Sequence, residues 1–329
     1  MKEISPNRIH LTVLEARALG EAALRNIGCD ENQSRIICNH VIDAALCGYE
    51  YSGLPKILNL PEHKRFKMPR TPIRTLRETP VSRQLDGGNH NGMYVLYEAT
   101  RIAIGIAKTN GIAVVGVTNT WVSGRSAHYV EMAAKEDLAC IHMLSSSRAV
   151  APLGGIAPVF GTNPIAFGVP STRGPIIFDM GTSAFMQTEL FLRERRGQEL
   201  PEGVGIDAQG RPSRDPAQVK LGALLPFGGH KGYGLALMMQ AFGVLAGSGL
   251  DLEKDNAYLF IVFKPDLLME LEQFKREVTE LVDRVKNTPR QPGVDEIRIP
   301  SERAFREREK LSREGIVIDK LVYDLLLEL

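Results

Sequence analysis

Apolar residues recur at helical spacing near both ends of this chain and gather into short runs through its middle. At the front, Leu14, Leu19, Ala23 and Leu24 share one side of a helix. It opens on Thr12-Val-Leu-Glu15, a capping box with Thr at N-cap and Glu at N3, and stops near Gly28. Asp30-Glu-Asn-Gln33 is a second box, and its helix carries Ile36, Ile37, Val41, Ala44 and Ala45 as far as Gly48. From about Thr71 the texture changes. Val81 to Leu85, Ile112 to Val117 and Ala257 to Phe263 read as strands, and Asp137 to Leu144, Ile165 to Val169 and Ile176 to Met180 are further short apolar runs with turn residues between. Helices are expected over Tyr94 to Lys108, Ser126 to Lys135 and Gly234 to Ala246, and a long surface loop over Pro201 to Gln218. Past Pro265, Leu268, Leu271, Phe274, Val278, Leu281 and Val285 return every three or four residues until Asn287-Thr-Pro289. Ser301-Glu302 is expected to cap a helix whose Arg303, Arg306, Arg308 and Lys310 read as a solvated face. The last helix, from Asp319, has Leu321, Val322, Leu325, Leu326 and Leu327 nearly all round, which predicts burial in the fold or against a partner chain. The whole is a mixed α/β pattern, α+β in class, with helices at both ends and strands between.

Composition narrows this little. The 329 residues are 43% hydrophobic and 24% charged, enough for two or three core-forming units. Forty basic and 39 acidic residues leave a formal charge of +1, so nothing steers the chain toward nucleic acid or a membrane surface. Cys29, Cys38, Cys47 and Cys140 form no CxxC pair and no metal-ligand spacing, so no metal is expected, and buried thiols in a cytoplasmic, reducing setting fit. The amino terminus carries no apolar stretch, so no secretory signal is expected. No run reaches the roughly 18 apolar residues of a membrane helix.

The candidate chemistry begins at Leu224-Leu-Pro-Phe-Gly-Gly-His-Lys-Gly-Tyr-Gly-Leu235. Glycines at 228, 229, 232 and 234 crowd around His230-Lys231, just ahead of an apolar helix. Glycine lets backbone approach a ligand closely, a helix start offers unpaired N–H groups, and Lys231 adds a charge. Together they suit a phosphate, as a nucleotide cofactor carries; a glycine turn before a core helix is the plainer alternative. GxGxxG after a strand, GxxxxGK[ST], HExxH and GxSxG are all missing, so a Rossmann architecture is not expected.

Five ordered segments resemble the type 2 malate/L-lactate dehydrogenase family, which includes ureidoglycolate dehydrogenase, diketogulonate reductase, sulfolactate dehydrogenase and a piperideine-2-carboxylate reductase. They are Gly161-Thr-Asn-Pro-Ile-Ala-Phe-Gly-Val-Pro170, Phe178-Asp-Met-Gly-Thr-Ser183, Pro201-Glu-Gly-Val-Gly-Ile-Asp207, Gly228-Gly-His-Lys-Gly232 and Ile299-Pro-Ser-Glu-Arg303. The resemblance implies a non-Rossmann dinucleotide-binding fold: a helical domain from both chain ends (1–70 and 290–329) around a mixed α/β domain (71–289) with a large sheet. It also implies a homodimer, NAD or NADP as cofactor, and a small carboxylate substrate. By similarity Asp179, Thr182 and Ser183 border the nicotinamide, and Ser146 contacts the cofactor. Gly229, His230 and Lys231 meet its phosphates, with a bare helix-capping role as the alternative for His230. Glu302 closes over it, although the family's Pro-Gly-Glu reads Pro-Ser-Glu here.

Two departures bear on the reaction. The family's proton-donating histidine lies in a Gly-His-Asp-Ser-His-Gly-like segment; this chain reads Gly48-Tyr-Glu-Tyr-Ser-Gly53, with Ser52 at that position. A second histidine, in an Asn-Ser-Asn-His-Phe-Gly-like segment, is matched by Val122. Lys56 stands where an arginine binds the substrate carboxylate, keeping the charge without the bidentate fork. Losing a positioned acid removes about 10²–10⁴ in rate, whereas aligning donor and acceptor contributes roughly 7–11 kcal/mol. Catalysis can therefore survive, and it survives best on a substrate that needs no new proton. An iminium becomes a neutral amine on gaining hydride, while a ketone becomes an alkoxide. The expected activity is thus NAD(P)-dependent hydride transfer at C2 of a 2-imino acid, with a 2-hydroxy acid/2-oxo acid dehydrogenase or a non-catalytic dinucleotide-binding protein as alternatives. Ser52 with a relayed water is the first candidate donor, and Tyr51, its pKa lowered by Lys56, the second. Glu50 is more simply surface. Tyr49 and His128 are candidates for substrate contact, and Asp179 for pairing with the substrate nitrogen.

Overall fold

The computed structural model describes residues 2–5, 7–249 and 256–329. β1 (Lys2–Ser5) and β2 (Arg8–Leu11) lead into α1 (Val13–Asn26) and α2 (Glu31–Leu46), and a 3₁₀ turn at Glu50–Ser52 passes into α3 (Pro55–Glu62). β3 (Arg74–Thr79), β4 (Ser82–Asp86), α4 (Gly92–Asn110), β5 (Ile112–Thr118), α5 (Ser126–Ala134), β6 (Ala139–Ser145), β7 (Ile165–Val169) and β8 (Ile176–Met180) follow. Then come α6 (Gln187–Arg195), β9 (Gly205–Ile206), α7 (Pro216–Leu221), β10 (Ala223–Leu224), α8 (His230–Leu245) and β11 (Ala257–Phe263). The chain closes with α9 (Leu271–Lys286), α10 (Glu302–Glu314), β12 (Ile316–Asp319) and α11 (Lys320–Leu327).

The main sheet has seven strands in the order β3-β4-β5-β11-β6-β7-β8. Only β4 and β5 run parallel, and α4 is the crossover between them; every other pairing in this sheet is antiparallel. One face packs on α4 and α5 through Leu85, Val95, Leu96, Val115, Tyr129 and Phe260. The other receives α8 through Met143, Met239 and Leu259. Burial on both faces explains why β5 and β11 read as continuous apolar runs rather than alternating ones.

The capping box of α1 is complete, with Thr12 and Glu15 each accepting the other's N–H. At α2 only half forms: Asp30 accepts from Gln33 N–H, while Gln33 Nε2 lies 3.3 Å from His90 Nδ1. The two ends of the chain pair with one another as sheet. β1, β2 and β12 form a three-stranded antiparallel sheet, and Ile316, Ile318, Val322 and Leu326 share a core with Leu11, Leu24, Ile42 and Ile57. Strands of four residues leave too little periodicity to read, and pairing residue 9 with 318 is a wholly tertiary event. α11 buries a stripe, Val322 and Leu326, and leaves Leu321 and Leu327 exposed, so its apolar circumference is not enclosed within this chain. Ser301 sits at the head of α10 but makes no capping bond, because its backbone is left-handed (φ +62°).

Candidate active site

A cleft of about 900 Å³ opens between the front helices and one end of the main sheet. Its walls are mainly the 3₁₀ turn with α3, the loop that follows β5, and the ends of β6 and β8 with α6 beyond them. Tyr49, Tyr51, Ser52, Lys56, Val122, Ser146 and Asp179 all face this space. These residues span about 130 positions of sequence and converge through the fold alone.

Asp179 lies on β8 and points at the start of α5, where Ala127 N–H donates to its Oδ2 at 2.8 Å. Burial raises its pKa above the usual carboxylate range, while the amides of Ala127 and Ser126 and the Arg125 guanidinium pull it back down. By solvent exposure Asp179 is only partly buried, and a helix start is a fitting seat for a carboxylate that must stay charged.

Lys56, on α3, is buried, and its Nζ donates to Thr188 Oγ1 at 3.1 Å. Among the described residues no carboxylate lies within ion-pair distance of it, and burial pulls its pKa down to about 8. An ammonium that stays charged while buried needs an anion, and here the open side is the cleft.

Burial pushes the Tyr51 phenol up to about 12, with Glu189 next in effect. The lowering by Lys56 that would make Tyr51 a ready acid is therefore not met. Ser52 is buried and donates its N–H to Tyr49 O at 3.0 Å. Tyr49 is held between two guanidiniums, Arg125 at 5.1 Å and Arg303 at 5.3 Å. Glu50 is gripped by Arg8 at 3.0 Å and Arg196 at 2.7 Å, a surface-side role. His128 lies behind the wall rather than in it, 3.6 Å from Asp43 and against His40 with ring centres 4.6 Å apart.

Among the residues expected to meet the cofactor, Ser146 is fixed by Asn163 Oδ1, which accepts its N–H at 3.0 Å. Thr182 is buried and donates its hydroxyl to Thr162 O at 3.0 Å, and Ser183 donates to Phe185 O at 2.7 Å. Both sit just past Gly181, which does line the cleft. The glycine turn lies one layer further out. Phe227 N–H donates to Thr182 O at 3.0 Å, tying the turn to that segment, while His230 and Lys231 are exposed at the head of α8 and do not border the cleft. Gly228 and Gly229 have φ of +53° and +59°, and a Cβ on Gly232 would stand 2.3 Å from Phe227 O. The turn thus has local reasons for its glycines besides a ligand. Glu302 does not line the cleft either. Its carboxylate accepts from Ile299 N–H at 3.0 Å and Arg306 at 2.7 Å, and pairs with Lys286. Its neighbour Ser301 faces the cleft instead.

The sequence reading missed several lining residues. His63 stacks on Trp121 with ring centres 4.6 Å apart, and burial lowers its pKa to about 4. Its Nδ1 accepts the Arg65 N–H at 3.2 Å, so the neutral ring carries its proton on Nε2. Arg125, Arg195 and Lys220 were also missed, since an isolated basic residue, whether before α5 or within the short α6 and α7, gives no periodic signal. Among the described residues no cluster of His, Cys, Asp and Glu could hold a metal ion. No described helix is long and apolar enough to cross a membrane.

The cleft volume suits a cofactor together with a small substrate, and the Ser146 and Thr162 segments add polar groups to its wall. A mixed sheet without a Rossmann fingerprint, joined to a cleft that holds a partly buried carboxylate and a buried amine, fits a dehydrogenase or reductase of non-Rossmann fold. Residues 11–327 match the family described as malate/L-lactate dehydrogenase, and the chain belongs to it. It is an oxidoreductase that uses NAD or NADP. It is 33% identical over 331 residues to the malate/(S)-sulfolactate dehydrogenase of Methanothermus fervidus, covering 96% of this chain and 95% of that one. It is 31% identical over 338 residues to the Δ1-pyrroline-2-carboxylate/Δ1-piperideine-2-carboxylate reductase of Pseudomonas putida, covering 94% of each. The crystal structure of a dehydrogenase from Sinorhizobium meliloti superposes with a TM-score of 0.90 at 27% identity, covering 98% of both chains.

Proposed function

We propose that this enzyme reduces a small 2-imino carboxylate, a cyclic imine being the favoured form. The observation that carries the reading is the pair Lys56 and Asp179, a buried cation and a partly buried anion facing one cleft, with serine and valine where acid histidines are expected. Lys56 binds the substrate carboxylate, and Asp179 pairs with the iminium N–H. A nicotinamide held in the cleft would supply the hydride. As the new C2–H bond forms, the C=N π pair withdraws to nitrogen as the amine lone pair, and the iminium proton stays where it was. No group of the protein has to deliver a proton in that step. Asp179, by favouring a positive nitrogen, keeps the substrate protonated beforehand, and Ser52 lies in the cleft wall to hold a water. The Pseudomonas putida relative, whose name gives it pyrroline and piperideine carboxylates, supports this reading.

On the dinucleotide side we place Ser146, Thr182 and Ser183. Gly229, His230 and Lys231 would hold its phosphates, and Glu302, beside Ser301 of the cleft lining, would close over it. We also take the enzyme to be a cytoplasmic homodimer; the exposed Leu237, Met238 and Leu245 on α8 favour a partner surface.

The test is turnover of cyclic imine carboxylates and of 2-oxo acids with NADH and NADPH. The expected result is faster oxidation of reduced cofactor with the imines. Tyr51→Phe should stay within about threefold of wild type, since positioned acids normally account for far more. Turnover of 2-oxo acids with none of imines rejects the proposal, and a large loss in Tyr51→Phe would point to the phenol as acid.

A further inference from the structure

We infer that Val122 is the specificity-determining residue of the substrate end of the cleft, selecting a carboxylate with a hydrocarbon body over one with a second charge. This deepens the function proposed above and rests on it for the reaction, though not for the ligand test below.

Val122 has φ +57°. A β-branched residue in the left-handed region is a genuine outlier, because its Cβ and branches crowd the backbone. The same loop does use glycine where it turns again, at Gly124 with φ +75°. At position 122 the chain instead keeps an isopropyl group in a conformation that penalises it. Strain of this kind collects at ligand sites, where the surrounding structure holds it in place. Val122 is partly buried: it packs against the front core beside Tyr51 and faces the cleft with the remainder.

The charges around it agree. A dicarboxylate needs two open cations. Lys56 is open toward the cleft. Arg125 is taken by Asp43 at 3.1 Å, Arg195 by Glu62 at 2.6 Å, and Lys220 by Glu194 at 2.7 Å. A second carboxylate placed against Val122 would be desolvated and unpaired, which is costly. A ring or short alkyl chain would meet apolar surface there.

Binding to the NADPH-loaded enzyme reads this without turnover. Pyrrole-2-carboxylate, a planar ring with one charge, is compared by calorimetry with malonate, an open dicarboxylate. Wild type should bind the ring at least about tenfold more tightly, in the range a hydrophobic pocket contributes. Val122→Asn puts an amide on the wall in a residue that tolerates φ > 0, and should narrow the ratio by about tenfold. Its melting temperature should be no lower. Val122→Gly, which accepts this φ freely, should narrow the ratio too and provides the readout should the asparagine variant fail to fold. A wild-type preference for malonate, equal binding, binding of neither ligand, or a ratio unchanged in both variants overturns the inference. An enzyme that turns over 2-oxo acids alone would reject the imine reading yet leave this ratio to decide Val122.

Discussion

Asp179→Asn lowers kcat by about 10²–10⁴ while leaving dinucleotide affinity near the wild-type value. The carboxylate sits at the start of α5 with Ala127 N–H on one oxygen, so the amide fits the same space with its oxygen in the same bond. What it loses is the charge that we propose stabilises a positive substrate nitrogen. Folding does not explain such a loss. Burial raises the Asp179 pKa, and an acid whose folded-state pKa lies above its unfolded one favours folding below the unfolded pKa and loses that contribution as pH rises through the folded one. At neutral pH the charged group therefore costs stability, and the neutral amide should leave the melting temperature unchanged or higher. Steady-state kinetics, an NADPH fluorescence titration and a thermal melt check all three parts. Unchanged kcat would remove Asp179 from the reaction.

Lys56→Met should cost about 10–10²-fold in kcat/KM, mostly through KM, as expected for losing a charge-assisted hydrogen bond to a carboxylate. The free protein should become more stable. Its pKa falls to about 8 because the charged form is desolvated, a penalty worth about 3 kcal/mol relative to an exposed lysine. The sign follows from proton counting. Between about pH 8 and the unfolded value the unfolded chain holds more protons, so stability rises with pH there, and below pH 8 the buried charge is paid for in full. Substrate binding moves the opposite way, with KM rising as pH passes about 8 and the ammonium is lost. Lys56→Arg, which stays charged, should flatten that rise. A pH-independent KM in wild type, or a Lys56→Met enzyme with normal KM, would contradict carboxylate binding by this residue.

The legible parts of the fold were those with local causes. Thr12 and Glu15 cap a helix from within four residues, and β11 reads as a strand because both its faces are buried. The turn before α8 was also legible, because Gly228, Gly229 and Gly232 each answer to backbone constraints within a few residues. What that turn touches was not: His230 and Lys231 look outward, one layer beyond the cleft. The four-residue β2 and β12 had no readable period, and α3, which carries Lys56, is an eight-residue helix interrupted by Pro61.

The candidate site divides in the same way. Residue types and their order were enough to mark Ser52, Lys56, Val122 and Asp179, because a motif survives in sequence even when its histidines do not. Their protonation and strain belong to the tertiary structure. Whether Lys56 has a counter-ion, whether Tyr51 is a weaker or a stronger acid, and whether Val122 sits in a left-handed turn depend on chains brought together from 130 residues apart. Sequence alone determined the elements and the chemical groups on them, since capping, periodicity and glycine requirements act over a few residues. The folded chain decided which of those groups share one water-poor cleft, since burial and electrostatics depend on distance in space.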